Sequence, residues 1–192
     1  MTALPVSAGS RRLLPASLAG DLARHDSVLT RFAVLMILLM VPTLMAMSGD
    51  VRSYNGVNVW VKPFKFELSL AVYALTLTFF AAYIDDRFRA GRTYKIWVAI
   101  VPFITIFNQG YIIFRAARAE ASHFNRETEL AEALYAAMGI GAVVQISLAI
   151  LFGILILRSH ERAIAPALRL SIALGLIAGA VKDHFVWPAL FD

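Results

Sequence analysis

Four long stretches without a single charged side chain constrain this 192-residue chain more than anything else in it. Phe32–Gly49 runs 18 residues, Leu68–Ile84 17, Ile96–Phe114 19 and Ala133–Leu157 25. A helix of about 20 apolar residues crosses the hydrocarbon of a bilayer. Helices are the natural solution for such runs, because every backbone N–H and C=O must be paired within the segment. Composition agrees. Hydrophobic residues make up 59% and charged ones 16%, against about 45–50% and about 25% in soluble domains. The expected class is all-α, a polytopic membrane helical bundle.

A fifth span is expected over 166–187. It is interrupted by Arg169 near its start and stopped by Pro188, which cannot continue a helix. The expected organisation is a polar cytoplasmic tail over 1–27 and a single transmembrane domain over 28–192. Its spans lie near 30–49, 64–84, 94–114, 131–157 and 166–187. A cleaved signal peptide is the rival reading of the first run. A lead of 31 residues with Asp21 and Asp26 is long for a signal n-region, and Met45-Ala46-Met47-Ser48 is a poor cleavage site. A retained helix is therefore expected. In the tail, Leu14, Leu18 and Leu22 recur every four residues beside Arg11, Arg12 and Arg24. Two readings stay open there, a helix lying on the membrane surface and a disordered tail.

Zero cysteines exclude a disulfide framework, a thiolate zinc site and a cysteine nucleophile. The net charge of +5 reads as basic flanks of membrane spans facing anionic lipid, with no nucleic-acid partner. Counted by loop, eleven Lys and Arg fall on the side of the N-terminus and seven on the other. The dense second loop holds Arg87, Arg89, Arg92 and Lys95. The positive-inside rule then puts the N-terminus in the cytoplasm of an inner (plasma) membrane.

The remaining polar residues gather at the opposite, outer face. At the entry to span 2 stand Lys62, Lys65 and Glu67, with Pro63 suited to the first turn. Ser69, Tyr73, Thr76 and Tyr83 follow Lys65 at helical spacing. Such a stripe faces other helices, either packing against them or lining a cavity. In span 3, Asn108 and Gln109 lie inside the hydrocarbon, Gln109 about 7–8 Å from the run's end. Amides there must face protein or water. Thr105, Asn108 and Arg115 share a side, and the alanines after Phe114 favour continued helix. Arg115 and Arg118 can hold a carboxylate or phosphate by forked hydrogen bonds, or pair with Glu67 and Glu120. His123 titrates near neutrality, and Asn125 stands beside it. The expected ligand site is thus Lys62, Lys65, Glu67, Asn108, Gln109, Arg115, Arg118, His123 and Asn125, binding a small anionic or lipid-like molecule.

No phosphate loop, H-E-x-x-H or G-x-S-x-G pattern occurs. His123 and His184 could meet with Glu67, Glu120 or Asp183 around a metal, but nothing in their spacing requires it, and no metal or other cofactor is assigned. Gly175 and Gly179 form a G-x-x-x-G that implies packing in the bundle or a homo-oligomeric contact. Three functions stay open: a ligand-binding transporter component or sensor, a membrane enzyme with His123 as acid/base, and a structural subunit.

The segments Lys62-Pro63-Phe64-Lys65-Phe66 and Ser122-His123-Phe124-Asn125, with Arg115 and Arg118 just upstream, resemble signature segments of uncharacterised bacterial multi-pass inner-membrane proteins. The resemblance covers residues 60–126 and implies a polytopic helical fold. It brings no catalytic residue, since that group has no assigned activity. Its members tend to be longer, with further helices, so a short or truncated form is expected here.

Overall fold

A computed structural model describes residues 25–120, 129–159 and 165–185. Six helices are described. They are α1 (Ser27–Gly49), α2 (Val61–Ala81), α3 (Asp86–Arg89), α4 (Arg92–Ala117), α5 (Glu129–Arg158) and α6 (Pro166–Phe185). A two-stranded antiparallel hairpin, β1 (Ser53–Tyr54) and β2 (Val57–Asn58), joins α1 to α2. Four helices are long and apolar enough to cross a membrane: α1, α2, α4 and, over Glu132–Arg158, α5. The protein is an all-α bundle of the membrane class. In the region of the expected fifth span, α6 starts at Pro166, and its described apolar stretch, Pro166–Gly179, is shorter than the other four.

Local chemistry sets the helix ends. Asp26 caps α1, its Oδ1 accepting from the N–H groups of Val28 and Leu29 at 2.9 Å. Its Oδ2 accepts from the Tyr94 hydroxyl of α4 at 2.7 Å, tying the cap to a second helix. The hairpin turns at Asn55 and Gly56, with φ of 52° and 75°. These left-handed conformations suit the Asn-Gly pair and make a primed turn.

The helix α4 stops earlier than its alanines suggest. It ends at Ala117, with Ala119 at φ 54°. The Glu120 N–H donates to Arg115 O at 3.0 Å and the Ala119 N–H to Ala116 O at 2.9 Å. This is the Schellman arrangement, and it corrects the expectation of continued helix. The left-handed residue costs an alanine about 1 kcal/mol, and the return of Glu120 against two arginines offsets it.

Between helices in lipid there is little hydrophobic drive, so close packing and interhelical hydrogen bonds hold the bundle. One core joins Leu29, Leu77, Tyr94, Leu148, Phe152 and Ile156 of α1, α2, α4 and α5. A second seals α1 on α2 through Phe32, Ala33, Met36, Leu70, Ala71 and Ala74. The outward side chains are apolar too, Met45 and Phe103 being 70% and 76% exposed, as lipid contact requires.

The small residue that lets α5 and α6 approach is Gly153. A Cβ there would lie 2.9 Å from Ile177 and 3.1 Å from the Ala173 carbonyl oxygen. Gly175 and Gly179 have nothing within 4 Å of such a Cβ. Packing inside the bundle through the G-x-x-x-G pair is therefore corrected to packing through Gly153. Gly175 and Gly179, nine and thirteen positions past Pro166 on α6, turn away from α5.

Candidate functional site

Glu67 sits on the buried side of α2, where Pro63, Leu70, Ala74 and Ala81 also turn inward. It is fully buried between α1, α2 and α4. Its position, six residues into α2, is about 9 Å along the axis from the helix start. Thr43 of α1 lies at the same depth and donates its hydroxyl to Glu67 Oε1 at 2.8 Å. Gln109 of α4 donates its amide nitrogen to the same oxygen at 3.1 Å and to Pro63 O at 3.2 Å. The Pro63 carbonyl can only accept, which fixes the orientation of this amide. Gln109 Oε1 is then turned to the other side, where it has no hydrogen-bond partner, as has Glu67 Oε2. Three helices thus converge on one carboxyl group, and the contact is polar where lipid contact would be apolar.

Beside this triad α2, α4 and α5 enclose a cavity of about 310 Å³. Phe66 and Leu70 line it from α2; Thr105, Asn108, Gln109 and Ile112 line it from α4. Tyr135, Met138, Gly139, Ala142 and Gln145 are among its α5 residues. Phe66, Gly139 and Ala142 are exposed, so the mouth opens sideways between α2 and α5. The lining is mostly apolar with neutral polar groups, and no Lys, Arg, Asp or Glu belongs to it among the described residues. Gly141 explains how closely α4 and α5 meet here: a Cβ on it would lie 2.3 Å from Asn108 Nδ2 and 2.8 Å from Ile104. Asn108 Oδ1 is buried without a partner.

The expected cationic part of the site lies elsewhere. Arg115 pairs with Glu120 at 2.6 Å and Arg118 with the same carboxylate at 2.9 Å. Their guanidinium groups lie over the rings of Tyr111 and Phe114. Of the readings open for these arginines, the intramolecular pair with Glu120 is the one realised. Lys62 is half-buried and Lys65 exposed, and neither lines the cavity. The polar stripe of α2 divides: the Tyr73 hydroxyl donates to Gln145 O of α5 at 2.6 Å, Thr76 bonds its own helix, and Ser69 is exposed. His123 and Asn125 lie outside the described residues, as do the side chains of Lys182, Asp183 and His184. Of the nine expected residues, the structure groups Glu67, Asn108 and Gln109.

Sequence reasoning missed Thr43, Tyr135 and Gln145. A threonine after Pro42 within an apolar run reads as tolerable lipid-facing polarity, and only the packing of α1 on α2 gives it a partner. It also missed the clamp in the first loop. The Asp50 carboxylate takes a forked bond from Arg52, 2.7 Å at its shortest, and accepts from Trp60 Nε1 at 2.8 Å. Arg52 also donates to Ala117 O at 3.0 Å, at the C-terminal end of α4, where helix carbonyls lack partners. Asn55-Gly56 was the available signal for this loop.

The Arg52 guanidinium, and after it the Trp60 indole, hold the Asp50 carboxyl well below the usual carboxylate range. A carboxyl so depressed contributes its stability above the ordinary value near pH 4 and loses it as pH falls through the lower one. Hydrogen exchange of residues 50–60 should therefore be unchanged from pH 8 to 5 after correction for intrinsic rates. Protection should fall only well below pH 4. Asp50→Asn should show the low-pH exchange already at pH 7.

No family model matches the chain, and no curated protein or solved structure is similar to it.

Proposed function

We propose that this is an inner-membrane (plasma-membrane) protein with a cytoplasmic N-terminus that binds a small lipid-like molecule in the cavity between α2, α4 and α5, as a transporter component or a sensor. The carrying observation is that cavity itself, about 310 Å³ with a side mouth at bilayer depth, Gln109 fully buried on its wall with an unpartnered carbonyl. Ligand sites are mostly apolar concavities with a few placed polar groups. The volume equals about ten waters, enough for a short amphipathic chain. Of the two ligand types expected from sequence, the lipid-like one is favoured, because Arg115 and Arg118 are taken up by Glu120.

The test uses a diazirine-bearing octanol with the purified chain in phosphatidylcholine nanodiscs. Labelling should concentrate on α5 between Tyr135 and Gln145 and be lost in Ala142→Phe, whose ring fills the cavity, while the thermal transition is retained. Labelling no stronger there than on the lipid-facing side of α1 overturns the proposal.

The orientation rests on the Lys and Arg count, above all on Arg87 and Arg89 between α2 and α4 and on Arg92 and Lys95 in the first turn of α4. Since the chain has no cysteine, single cysteines can report it. Ser53→Cys should react with an impermeant maleimide in intact spheroplasts, and Arg87→Cys only after permeabilisation. The reverse pattern inverts the topology.

A second reading, a structural subunit, has its own support. Glu67 with Thr43 and Gln109, and Glu120 with Arg115 and Arg118, each use polar groups to bind the fold together. It predicts a chain in which Ala142→Phe changes nothing.

A further inference from the structure

Resting on the reading of the cavity as a ligand site, we infer that Gln145 seats an uncharged head group at mid-bilayer depth, with the ligand's tail running back to the side mouth. Gln145 stands near the middle of α5, about 20–24 Å from its two ends. Met138, Gly141, Leu148, Phe152 and Ile156 share its side of the helix at spacings of three and four, and all are buried. That stripe faces the bundle, so Gln145 faces it too. The Tyr73 hydroxyl donates to the Gln145 main-chain oxygen at 2.6 Å, holding this turn of α5 against α2. Its neighbours on the stripe are close-packed, but Gln145 is only half-buried and lines the cavity. Its side-chain amide has no hydrogen-bond partner among the described residues and, unlike the side-chain oxygens of Asn108 and Gln109, is not sealed off. An amide at that depth must meet protein or water, since lipid offers no partner. On the bundle-facing side of α5, the cavity is where it can do so.

The other polar groups of the lining are engaged elsewhere. Gln109 gives its amide N–H groups to Glu67 Oε1 and Pro63 O. The Thr105 hydroxyl donates to Val101 O of its own helix at 2.7 Å. Tyr135 has an interaction of its own and stands ten residues nearer the start of α5, about 15 Å away. The Gln145 amide offers both a carbonyl oxygen and N–H groups, so it suits a neutral hydroxyl or amide head. It cannot neutralise a charge. No Lys, Arg, Asp or Glu lines the cavity among the described residues, and an unpaired charge at bilayer depth is costly. Ala142 and Gly139, exposed at the mouth, lie about 4.5 and 9 Å along the axis from Gln145. A head seated on Gln145 therefore sends its chain out past them into lipid.

The test places a diazirine at either end of octanol, beside the hydroxyl or at the chain terminus, and maps the residues labelled on the full chain in phosphatidylcholine nanodiscs. The head-end probe should label α5 over 143–149, and the tail-end probe α5 over 135–142. Gln145→Leu keeps the side-chain volume. It should raise the half-labelling concentration of octanol about five-fold, as the loss of one hydrogen bond gives, and leave labelling by diazirine-bearing octane and the thermal transition unchanged. Octyltrimethylammonium and octyl sulfate probes, each scaled to its labelling of the lipid-facing side of α1, should label the cavity about ten-fold more weakly than octanol. Reversed positions for the two octanol probes, or octanol labelling indifferent to Gln145→Leu, overturn this inference while the cavity reading stands. Labelling by either charged probe as strong as that by octanol overturns it too. Absence of cavity labelling by every probe, octane included, overturns the cavity reading and this inference together. The head-to-tail map on the native chain decides the matter even where Gln145→Leu fails to fold.

Discussion

Gln109→Leu is expected to destabilise the bundle by about 3 kcal/mol, measured by SDS unfolding in mixed micelles with helical circular dichroism. Leucine and glutamine have similar volumes, so the change leaves neither a cavity nor a clash, and the loss is one of polar pairing. Two bonds disappear, to Glu67 Oε1 and to Pro63 O. Interhelical hydrogen bonds in membranes average about 0.6 kcal/mol each, so the bonds alone give about 1 kcal/mol. The larger share comes from what stays behind, a fully buried carboxyl with Thr43 as its one remaining donor among the described residues. Stranding a buried polar group costs about 1–3 kcal/mol, whereas removing both partners together can be nearly neutral. The triple variant Thr43→Val, Glu67→Leu, Gln109→Leu should therefore recover most of the loss, and its deviation from additivity measures the coupling. A loss below 1 kcal/mol for Gln109→Leu, or a triple variant weaker than the single, would show that the triad does not hold the three helices.

The second large effect is steric. Gly153→Ile should cost about 2–3 kcal/mol and release α6 from α5, seen as new protease cleavage in α6. The first atom of any side chain at 153 already meets Ile177 at 2.9 Å and the Ala173 backbone carbonyl at 3.1 Å. A side chain can rotate away, but a backbone carbonyl inside a packed helix cannot, so the helices must separate. Gly175→Ile is the control. Its added Cβ meets nothing within 4 Å, so the loss should stay below about 0.5 kcal/mol. If Gly175→Ile instead changes the oligomeric state, the G-x-x-x-G face serves a second copy. Equal losses at both positions would refute the assigned packing.

The spans were legible because their signal is local. The uncharged runs Phe32–Gly49, Ile96–Phe114 and Ala133–Leu157 each fall within a described helix, and Leu68–Ile84 overruns the end of α2 at Ala81 by three residues. Backbone pairing in a bilayer leaves a run of that length little choice but helix. The same reasoning marked Asn108 and Gln109, since a polar group at such depth must find protein or water. Their partners were not legible. Glu67 was grouped with lysines and arginines on charge, but charge complementarity says nothing about which helix face turns which way. The bend at Ala119 brings Glu120, five residues after Arg115, back onto both arginines, a short-range solution that a ligand would have to displace.

The sequence by itself determined the class of the protein, because the cost of burying unpaired backbone in lipid depends only on composition and length. It determined too which few polar residues lie at bilayer depth. Only the tertiary structure decided what those residues do for one another. Whether Gln109 meets Glu67, Gly153 rather than Gly175 meets a neighbour, and Asn108 faces a cavity rather than an arginine depends on helix rotation and crossing. In lipid those are set by the fit of small residues and by hydrogen bonds between segments far apart in the chain, which no local pattern encodes.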